Sequence, residues 1–284
     1  MEVLLQDLFL AQVKQRPDQL AIVTPTASFI YRELYTRSNQ LAHLLRSLSV
    51  QPNSLVAVVM EKGWEQVVGV LGILQAGAGY LPLSPDIPRQ QLWQLLENGK
   101  VAWVLTQSWL AEKLEWPPST PCIPVDKYEL NEAPAAPLLN LQKPADLAYM
   151  IYAQEPEGAA KGIIMEHQQA VSAIVGINHR IDIDHQDRVF PMSSISDELW
   201  AYTIFGALAA GATLVIPGPV PLPTPAQWAS WMNELQVTVW TSTPTELSML
   251  IKFVEERGHS LPGELRCVLL SEGEGENIQI INLS

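Results

Sequence analysis

The chain has 284 residues and a formal net charge of −13 at pH 7, with 17 basic and 30 acidic side chains. This balance argues against nucleic acid as a partner and against binding to an anionic membrane, because both recruit proteins through Lys and Arg. Hydrophobic residues make up 48% of the chain, and this share predicts a globular protein with a substantial core.

The first hundred residues alternate between helical and strand patterns. Leucines spaced three and four apart predict helices, continuous apolar runs predict buried strands, and Gly77 predicts the end of one helix. The predicted elements are a helix over 4–14, strands over 21–25 and 28–31, a helix over 32–48, a strand over 55–60, a helix over 64–76, a strand over 80–83, a helix that begins after Pro88 and a strand over 101–107.

Residues 115–146 interrupt this alternation, since they contain seven prolines and little periodicity. They predict a long surface connection with one short strand at 122–125. The alternation then resumes with a strand over 147–152, a helix over 166–177, a strand ending at Phe190, a helix over 198–210, a strand over 212–217, a helix over 225–235, a strand over 237–242, a helix over 244–257 and a strand over 266–271. Apolar strands that alternate with helices predict parallel sheets joined by crossover helices.

Cysteine and histidine usage predicts neither a disulfide framework nor a zinc site. Cys122 and Cys267 are far apart, and the five histidines lack metal-ligand spacing. Isolated thiols are typical of a reducing cytoplasm, and the N-terminus lacks the basic segment of a signal peptide. The acidic residues Glu272, Glu274 and Glu276 are interpreted as part of a solvated linker. We therefore expect a cytoplasmic protein without a metal site.

Several segments, in their order and spacing, resemble the core motifs of nonribosomal peptide synthetase adenylation domains, which belong to the adenylate-forming ligases. These segments are SFIYRELYTRSNQLAHLLR, GVLGILQAGAGYLPLSPDIP, LAYMIY followed by GIIMEH, MSSISDELWAYTIFGALAAGATLVIP, VTVWTSTPTELSML and LRCVLLSEGE. Members of this family activate an amino acid or another carboxylic acid with Mg-ATP, release pyrophosphate, and pass the acyl group to a carrier-protein thiol. The resemblance implies the fold of that family and raises the question of whether this chain keeps its chemistry.

The implied fold is α/β, with two lobes of mostly parallel sheet flanked by helices, as in the N-terminal core of the adenylate-forming ligases. One lobe is expected over about residues 52–185, and the other over about 1–50 together with 186–271. Residues 272–284 are expected to be a linker or tail. The family's later motifs do not occur in the sequence. We therefore expect a truncated core without the small β-barrel and the C-terminal lid.

The family's phosphate loop reads roughly YTSGSTGxPKG, whereas residues 152–162 of this chain read YAQEPEGAAKG. The loop residues to compare are Ala153, Gln154, Glu155, Pro156, Glu157, Gly158, Lys161 and Gly162. The hydroxyls that would bind phosphate are absent, and Pro156 lacks a backbone donor. At about 6 Å and an effective dielectric of about 20, each glutamate would repel a phosphate charge by about 3 kcal/mol. The segment is therefore interpreted as a degenerate phosphate loop, in which Lys161 is either a solvated side chain at a helix start or a phosphate contact.

The fourth motif of the family reads close to FDxSVxxxF, and its Asp pairs with the ammonium group of an amino-acid substrate. In this chain Asp197 stands in place of the Phe, Glu198 in place of the Asp, and Trp200 in place of a small residue. Asp197 and Glu198 could equally cap the first turn of a helix. In the second motif, Ser84 stands where the family usually has Asp. A remnant substrate pocket is expected to comprise Glu198, Trp200, Tyr202 and Trp240.

These departures favour a catalytically inactive pseudo-adenylation domain of a nonribosomal peptide or hybrid polyketide–peptide synthetase, with a structural or docking role. No catalytic residue and no cofactor is expected in that case. Its partners would be neighbouring synthetase domains in the same chain (carrier, condensation or inserted tailoring domains) or a second copy in a dimer. Alternatively, the chain is half of an interrupted adenylation domain that uses ATP and Mg when another segment completes it. A third hypothesis is a binding module without chemistry.

Overall fold

The computed structural model describes residues 3–127, 136–154, 160–218, 223–258, 260–271 and 278–283. The helices are α1 (Leu5–Gln15), α2 (Tyr31–Ser47), α3 (Trp64–Ala76), α4 (Arg89–Asn98), α5 (Ser108–Lys113), α6 (His167–Ile181), α7 (Glu198–Ala210), α8 (Pro225–Glu234) and α9 (Pro244–Glu256). The strands are β1 (Leu20–Val23), β2 (Ser28–Ile30), β3 (Leu55–Val59), β4 (Gly79–Leu83), β5 (Trp103–Thr106), β6 (Cys122–Pro124), β7 (Leu147–Gln154), β8 (Ala160–Glu166), β9 (Arg188–Pro191), β10 (Thr213–Val215), β11 (Val239–Ser242), β12 (Cys267–Leu270) and β13 (Gln279–Asn282).

The described strands form two sheets. The larger sheet has the order β13-β12-β11-β9-β10-β1-β2, and the smaller has the order β6-β5-β3-β4-β7-β8. Neighbouring strands are parallel except for the pairs β1–β2, β12–β13 and β7–β8, which lie at sheet edges. This architecture confirms the predicted fold class of mostly parallel sheets flanked by helices.

The buried side chains define five layers. A central cluster combines apolar residues of α1, α2, α3, α6 and α7 with one face of each sheet. The other face of the larger sheet packs against α8 and α9, and the other face of the smaller sheet packs against α4. The smaller sheet takes its strands from residues 55–166, and the larger takes its strands from 20–30 and 188–282. Since one core joins both sheets, the assignment of two lobes remains a proposal.

Two edge strands differ from the sequence-based expectation. The segment after the degenerate loop was expected to enter a helix directly, but β8 precedes α6 and pairs antiparallel with β7. Residues 279–282 were expected to belong to a tail, but they form β13, which pairs antiparallel with β12. Both strands have a half-exposed or mixed burial pattern. Their extended conformation depends on a hydrogen-bonded neighbour, and this neighbour is not visible in a local apolar pattern.

Gly72 allows a close approach between α2 and α3. A Cβ atom at Gly72 would lie 2.8 Å from Leu41 Cδ2 and 2.9 Å from Leu41 Cγ. We expect Gly72→Ala to lower the free energy of unfolding by about 1–2 kcal/mol, because overpacking outweighs the better helix propensity of alanine. Urea denaturation measures the change.

Gly176 in α6 is the matched control for this substitution. A Cβ atom at Gly176 would meet no heavy atom within 4 Å. Gly176→Ala is therefore expected to raise the free energy of unfolding by up to about 1 kcal/mol. Equal effects of the two substitutions would contradict the packing explanation for Gly72.

Candidate ligand site between the two sheets

A cavity of about 360 Å³ lies where elements of the two sheets meet. One wall follows the carboxyl end of β4, and the other includes the residues just before α7. In α/β folds with parallel sheets, ligands bind outside the carboxyl ends of the strands. The cavity is lined by Pro82, Leu83, Ser84, Asp86, Ile87, Pro88, Gln91, Leu95, Tyr152, Ser196 and Asp197.

The wall contributed by the larger sheet is the segment 192–197 between β9 and α7. Asp197 is the N-cap residue of α7, and its Oδ2 accepts a hydrogen bond of 3.0 Å from the Ser194 backbone N–H. At the start of the segment, Lys62 Nζ donates a hydrogen bond of 2.5 Å to the Met192 carbonyl oxygen. Lys62 follows β3 of the smaller sheet, so this bond ties the cavity wall to the opposite side of the cleft.

Three charged groups near this cavity influence one another. Burial raises the pKa of Asp197, the positive charge of Lys62 opposes this rise, and the negative charge of Glu246 adds to it. Burial also lowers the pKa of Lys62, and both carboxylates oppose that change. Glu246 is held in place because its Oε2 accepts hydrogen bonds from Ser242 Oγ at 2.8 Å and from the Thr243 N–H at 2.9 Å. Two acidic groups and one basic group thus lie close enough to one another for their charges to interact.

Tyr152 and Ser84 belong to the wall contributed by the smaller sheet. The Tyr152 hydroxyl donates a hydrogen bond of 3.0 Å to the Leu95 carbonyl oxygen, and burial raises the pKa of this tyrosine. Ser84 Oγ accepts a hydrogen bond of 3.3 Å from the Asp86 N–H. Both lining residues therefore have hydroxyl groups that hydrogen-bond within the smaller-sheet side of the cavity.

The degenerate phosphate loop connects β7 to β8. The antiparallel pairing continues up to the loop, where Ala153 pairs with Lys161 and Gln154 pairs with Ala160. Glu155, Pro156, Glu157 and Gly158 lie outside the described residues. The exposed Lys161 lies on a strand rather than at a helix start.

Gly162 has a packing role that is independent of nucleotide. A Cβ atom at this position would lie 3.0 Å from Met150 Sδ on the neighbouring strand. Gly162 therefore allows close packing between β7 and β8.

The residues of the expected remnant pocket lie in two different core layers. Trp200 and Tyr202 belong to the central core, where the Tyr202 hydroxyl donates a hydrogen bond of 2.8 Å to Asn178 Oδ1. Trp240 belongs to the outer core under α8 and α9 and packs against Trp228 with 6.3 Å between ring centroids. The three side chains are not part of the described cavity lining. The side chain of Glu198 lies outside the described part of the chain, so its role in a pocket stays a prediction.

Sequence reasoning missed two of the charged groups near the cavity, Lys62 and Glu246. Lys62 comes just after a buried parallel strand, where ligand-binding residues of α/β proteins commonly lie. Glu246 is the third residue of α9 after the N-cap Thr243, and this spacing marks a helix start. Only the fold shows that both lie close enough to Asp197 for their charges to influence its pKa.

Other kinds of site have no support in the described residues. No group of three or more His, Cys, Asp or Glu side chains in the described ranges could hold a metal ion. Both cysteines are free thiols. Within the same ranges, no helix has the length and apolar character needed to cross a membrane.

Comparisons with known proteins agree with the motif resemblance. The family model described as AMP-binding enzyme matches residues 9–279. Pyochelin synthetase PchF from Pseudomonas aeruginosa (strain UCBPP-PA14) is 34% identical over 259 residues, which cover 90% of this chain and 14% of that protein. A structure of a point variant of the nonribosomal peptide synthetase FmoA3 has a TM-score of 0.91 at 33% identity and covers 100% of this chain and 33% of that one.

A second FmoA3 structure, with α-methyl-L-serine-AMP bound, has a TM-score of 0.88 at 37% identity. It covers 93% of this chain and 29% of that chain. The chain thus spans about a third or less of the length of PchF and of the FmoA3 chains. The chain belongs to the AMP-binding enzyme family, and its two sheets have the fold of the N-terminal core of a nonribosomal peptide synthetase adenylation domain.

Proposed function

We propose that the chain is a catalytically inactive pseudo-adenylation domain of a nonribosomal peptide or hybrid polyketide–peptide synthetase, with a structural role. The sequence YAQEPEGAAKG, which runs from the end of β7 to the start of β8, supports this proposal more than any other observation. It combines the loss of hydroxyl groups with the gain of two carboxylates at the position that matches the family's phosphate loop.

These changes all act in the same direction. Ala153 and Gln154 replace residues with hydroxyls, and Pro156 removes one backbone N–H that could reach a phosphate oxygen. Glu155 and Glu157 add negative charge beside a ligand that is itself strongly negative. Gly158, Lys161 and Gly162 are the matches within the loop that could serve a nucleotide.

A structural role would use the chain as a platform between other synthetase domains in the same polypeptide. The match to this chain covers only 14% of the length of PchF, so most of that protein lies outside the matched region. Neighbours of the carrier, condensation or inserted tailoring type are therefore proposed as its partners, in a cytoplasmic synthetase, and a dimer is a further proposal.

In a second candidate function, the chain is half of an interrupted adenylation domain. The motivation for this function is the shared fold, since an FmoA3 structure with α-methyl-L-serine-AMP bound has a TM-score of 0.88 to this chain, although an inactive domain would show the same likeness. In this case another segment, in the same chain or in a separate one, would supply the missing motifs and restore the use of ATP and Mg.

Nucleotide binding tests the proposal directly. Isothermal titration of the chain with Mg-ATP is expected to give no saturable binding up to about millimolar ATP, where binding would be worth about 4 kcal/mol. A variant that restores the family loop (Ala153→Thr, Gln154→Ser, Glu155→Gly, Pro156→Ser and Glu157→Thr) is expected to gain measurable binding, because hydroxyl and backbone donors return.

The control variant Glu155→Gln/Glu157→Gln removes the charges but keeps Pro156 and adds no hydroxyl. It is expected to bind ATP more weakly than the restored loop. Saturable ATP binding by the unchanged chain, or ATP–pyrophosphate exchange with any acid of an amino- and keto-acid panel, would overturn the inactive assignment. Exchange that appears only after a second segment is added would support the interrupted-domain function.

A further inference from the structure

The cavity between the two sheets has the dimensions and surface of a small-molecule site. Its volume of about 360 Å³ falls within the usual range of ligand pockets, which begins at about 300 Å³. Apolar side chains form part of the lining, namely Pro82, Leu83, Ile87 and Leu95. A ligand with a compact hydrocarbon part could therefore exclude water from this surface.

The charged groups that line the cavity are all acidic. Asp86 and Asp197 contribute carboxylates, and the other polar lining groups are hydroxyls and one amide. Among the described lining residues there is no Lys, Arg or His. Lys62 stands nearby, but its ammonium group donates to the Met192 carbonyl oxygen behind the wall. The described lining therefore favours a positively charged ligand and repels a carboxylate.

Asp197 is held in position before any ligand arrives. Its Oδ2 accepts from the Ser194 N–H, while the Lys62 bond to Met192 anchors the beginning of the same segment. Lys62 and Asp197 do not form an ion pair within 4.0 Å among the described residues, although their charges influence each other. A partly buried carboxylate without such a partner gains energy from a ligand cation that reaches it.

We infer that this cavity binds a small primary amine that carries no carboxylate, with its ammonium group on Asp197 and its hydrocarbon part against Pro82, Ile87 and Leu95. Asp197 occupies the position that is Phe in the family motif, so this anchor differs from the family's acidic residue, whose position is Glu198 here. The inference rests on the proposed function, because an amine without a carboxylate offers no group that ATP could activate.

A matched series of probes tests the inference by isothermal titration of the full chain. Phenethylamine carries the cation, phenethyl alcohol is its neutral counterpart, and phenylalanine adds a carboxylate to the same skeleton. Phenethylamine is expected to bind at least tenfold more tightly than either of the others. Asp197→Asn is expected to weaken the binding of phenethylamine about 10- to 100-fold and to leave the affinity for phenethyl alcohol unchanged.

Asp18→Asn is the control variant, since Asp18 is an exposed surface residue whose ion pair with Arg32 lies away from the cavity lining. Thermal unfolding of each variant verifies that it is folded. Three results would overturn the inference: no binding of phenethylamine at millimolar concentration, equal binding of the alcohol, or unchanged affinity in Asp197→Asn. Phenylalanine binding at least as tightly as phenethylamine would instead assign an amino-acid site. Because the titrations contain no nucleotide, their outcome is separate from that of the ATP experiment.

Discussion

Replacing Asp187 with alanine is expected to lower the free energy of unfolding by about 3–5 kcal/mol. The Asp187 residue is 5% exposed, and its carboxylate accepts hydrogen bonds from Arg266 Nε at 2.9 Å and Nη2 at 2.6 Å. It also accepts from Thr238 Oγ1 at 2.7 Å and from the Asp184 N–H at 2.9 Å. Removing the carboxylate leaves Arg266 with an uncompensated charge in a partly buried position.

This ion pair joins three strands of the larger sheet. Asp187, Thr238 and Arg266 precede β9, β11 and β12, which are neighbours in the sheet. The pair therefore stabilises the amino-terminal edge of the strands, while the cavity lies toward their carboxyl ends. We expect Asp187→Ala to reduce stability without a direct effect on the cavity lining.

Urea denaturation at pH 7 measures this effect, and two further variants sharpen it. The double variant Asp187→Ala/Arg266→Met is expected to be more stable than Asp187→Ala, because it no longer contains the unpaired guanidinium. Asp18→Ala breaks an exposed ion pair with Arg32 and is expected to cost less than about 1 kcal/mol. Similar small losses for Asp187→Ala and Asp18→Ala would refute the role of the buried pair.

The same pair predicts a loss of stability in acid. Burial raises the pKa of Asp187, but hydrogen bonds from Arg266 and Thr238 outweigh burial and hold the pKa below its ordinary value of 3.8. A carboxyl with a lowered folded pKa stabilises the fold above its unfolded value. That contribution is lost as pH falls below about 4 and through the folded pKa.

The second large effect is expected at His167 as pH falls from about 6.5 to about 4. His167 is fully buried, and its Nδ1 accepts a hydrogen bond of 3.1 Å from the Leu5 N–H at the start of α1. Burial lowers its pKa from 6.5 to about 4, against a smaller opposing effect of Asp146. The folded state therefore holds a neutral imidazole over a range in which the unfolded chain becomes protonated.

This difference makes a contribution to stability that is complete above about pH 6.5 and declines as pH falls to about 4. A shift of this size corresponds to a loss of about 3 kcal/mol across the range. His167→Asn is expected to lose that part of the pH dependence, because an amide oxygen can accept from Leu5 N–H but does not titrate.

The measurement is urea unfolding at a series of pH values between 7 and 4.5 for the unchanged chain and for two variants. His179→Asn is the control, since His179 is exposed in α6. Its pH dependence should match that of the unchanged chain. If His167→Asn also kept the full pH dependence, the buried neutral histidine would not be the source of the effect.

The local sequence predicted most elements because their apolar spacing is unambiguous. Helix α3 was expected over 64–76 and spans those residues, and β3 and β12 were recognised as continuous apolar runs. Strands β8 and β13 were not predicted, since a half-exposed edge strand carries little apolar pattern of its own. Their conformation is decided by hydrogen bonds to β7 and β12.

The candidate site shows the same division. The sequence drew attention to Ser84, Tyr152 and Asp197, all of which line the cavity, but it grouped Trp200 with Trp240 in one pocket. Successive side chains of a strand point to opposite faces of its sheet, and Trp240 on β11 points to the outer core. Trp200 on α7 packs in the central core, and only the packed structure shows this separation.

By itself, the sequence determined the family, the α/β class and the loss of phosphate-binding groups in the loop, since these depend on residue type and order. The tertiary structure alone decided that Lys62 and Glu246 lie near enough to Asp197 for their charges to influence its pKa. Lys62 is more than a hundred positions away from both Asp197 and Glu246 in the chain. The three residues come together at the carboxyl ends of strands from two sheets. Their mutual electrostatic influence depends on distance in space, which local sequence patterns do not encode.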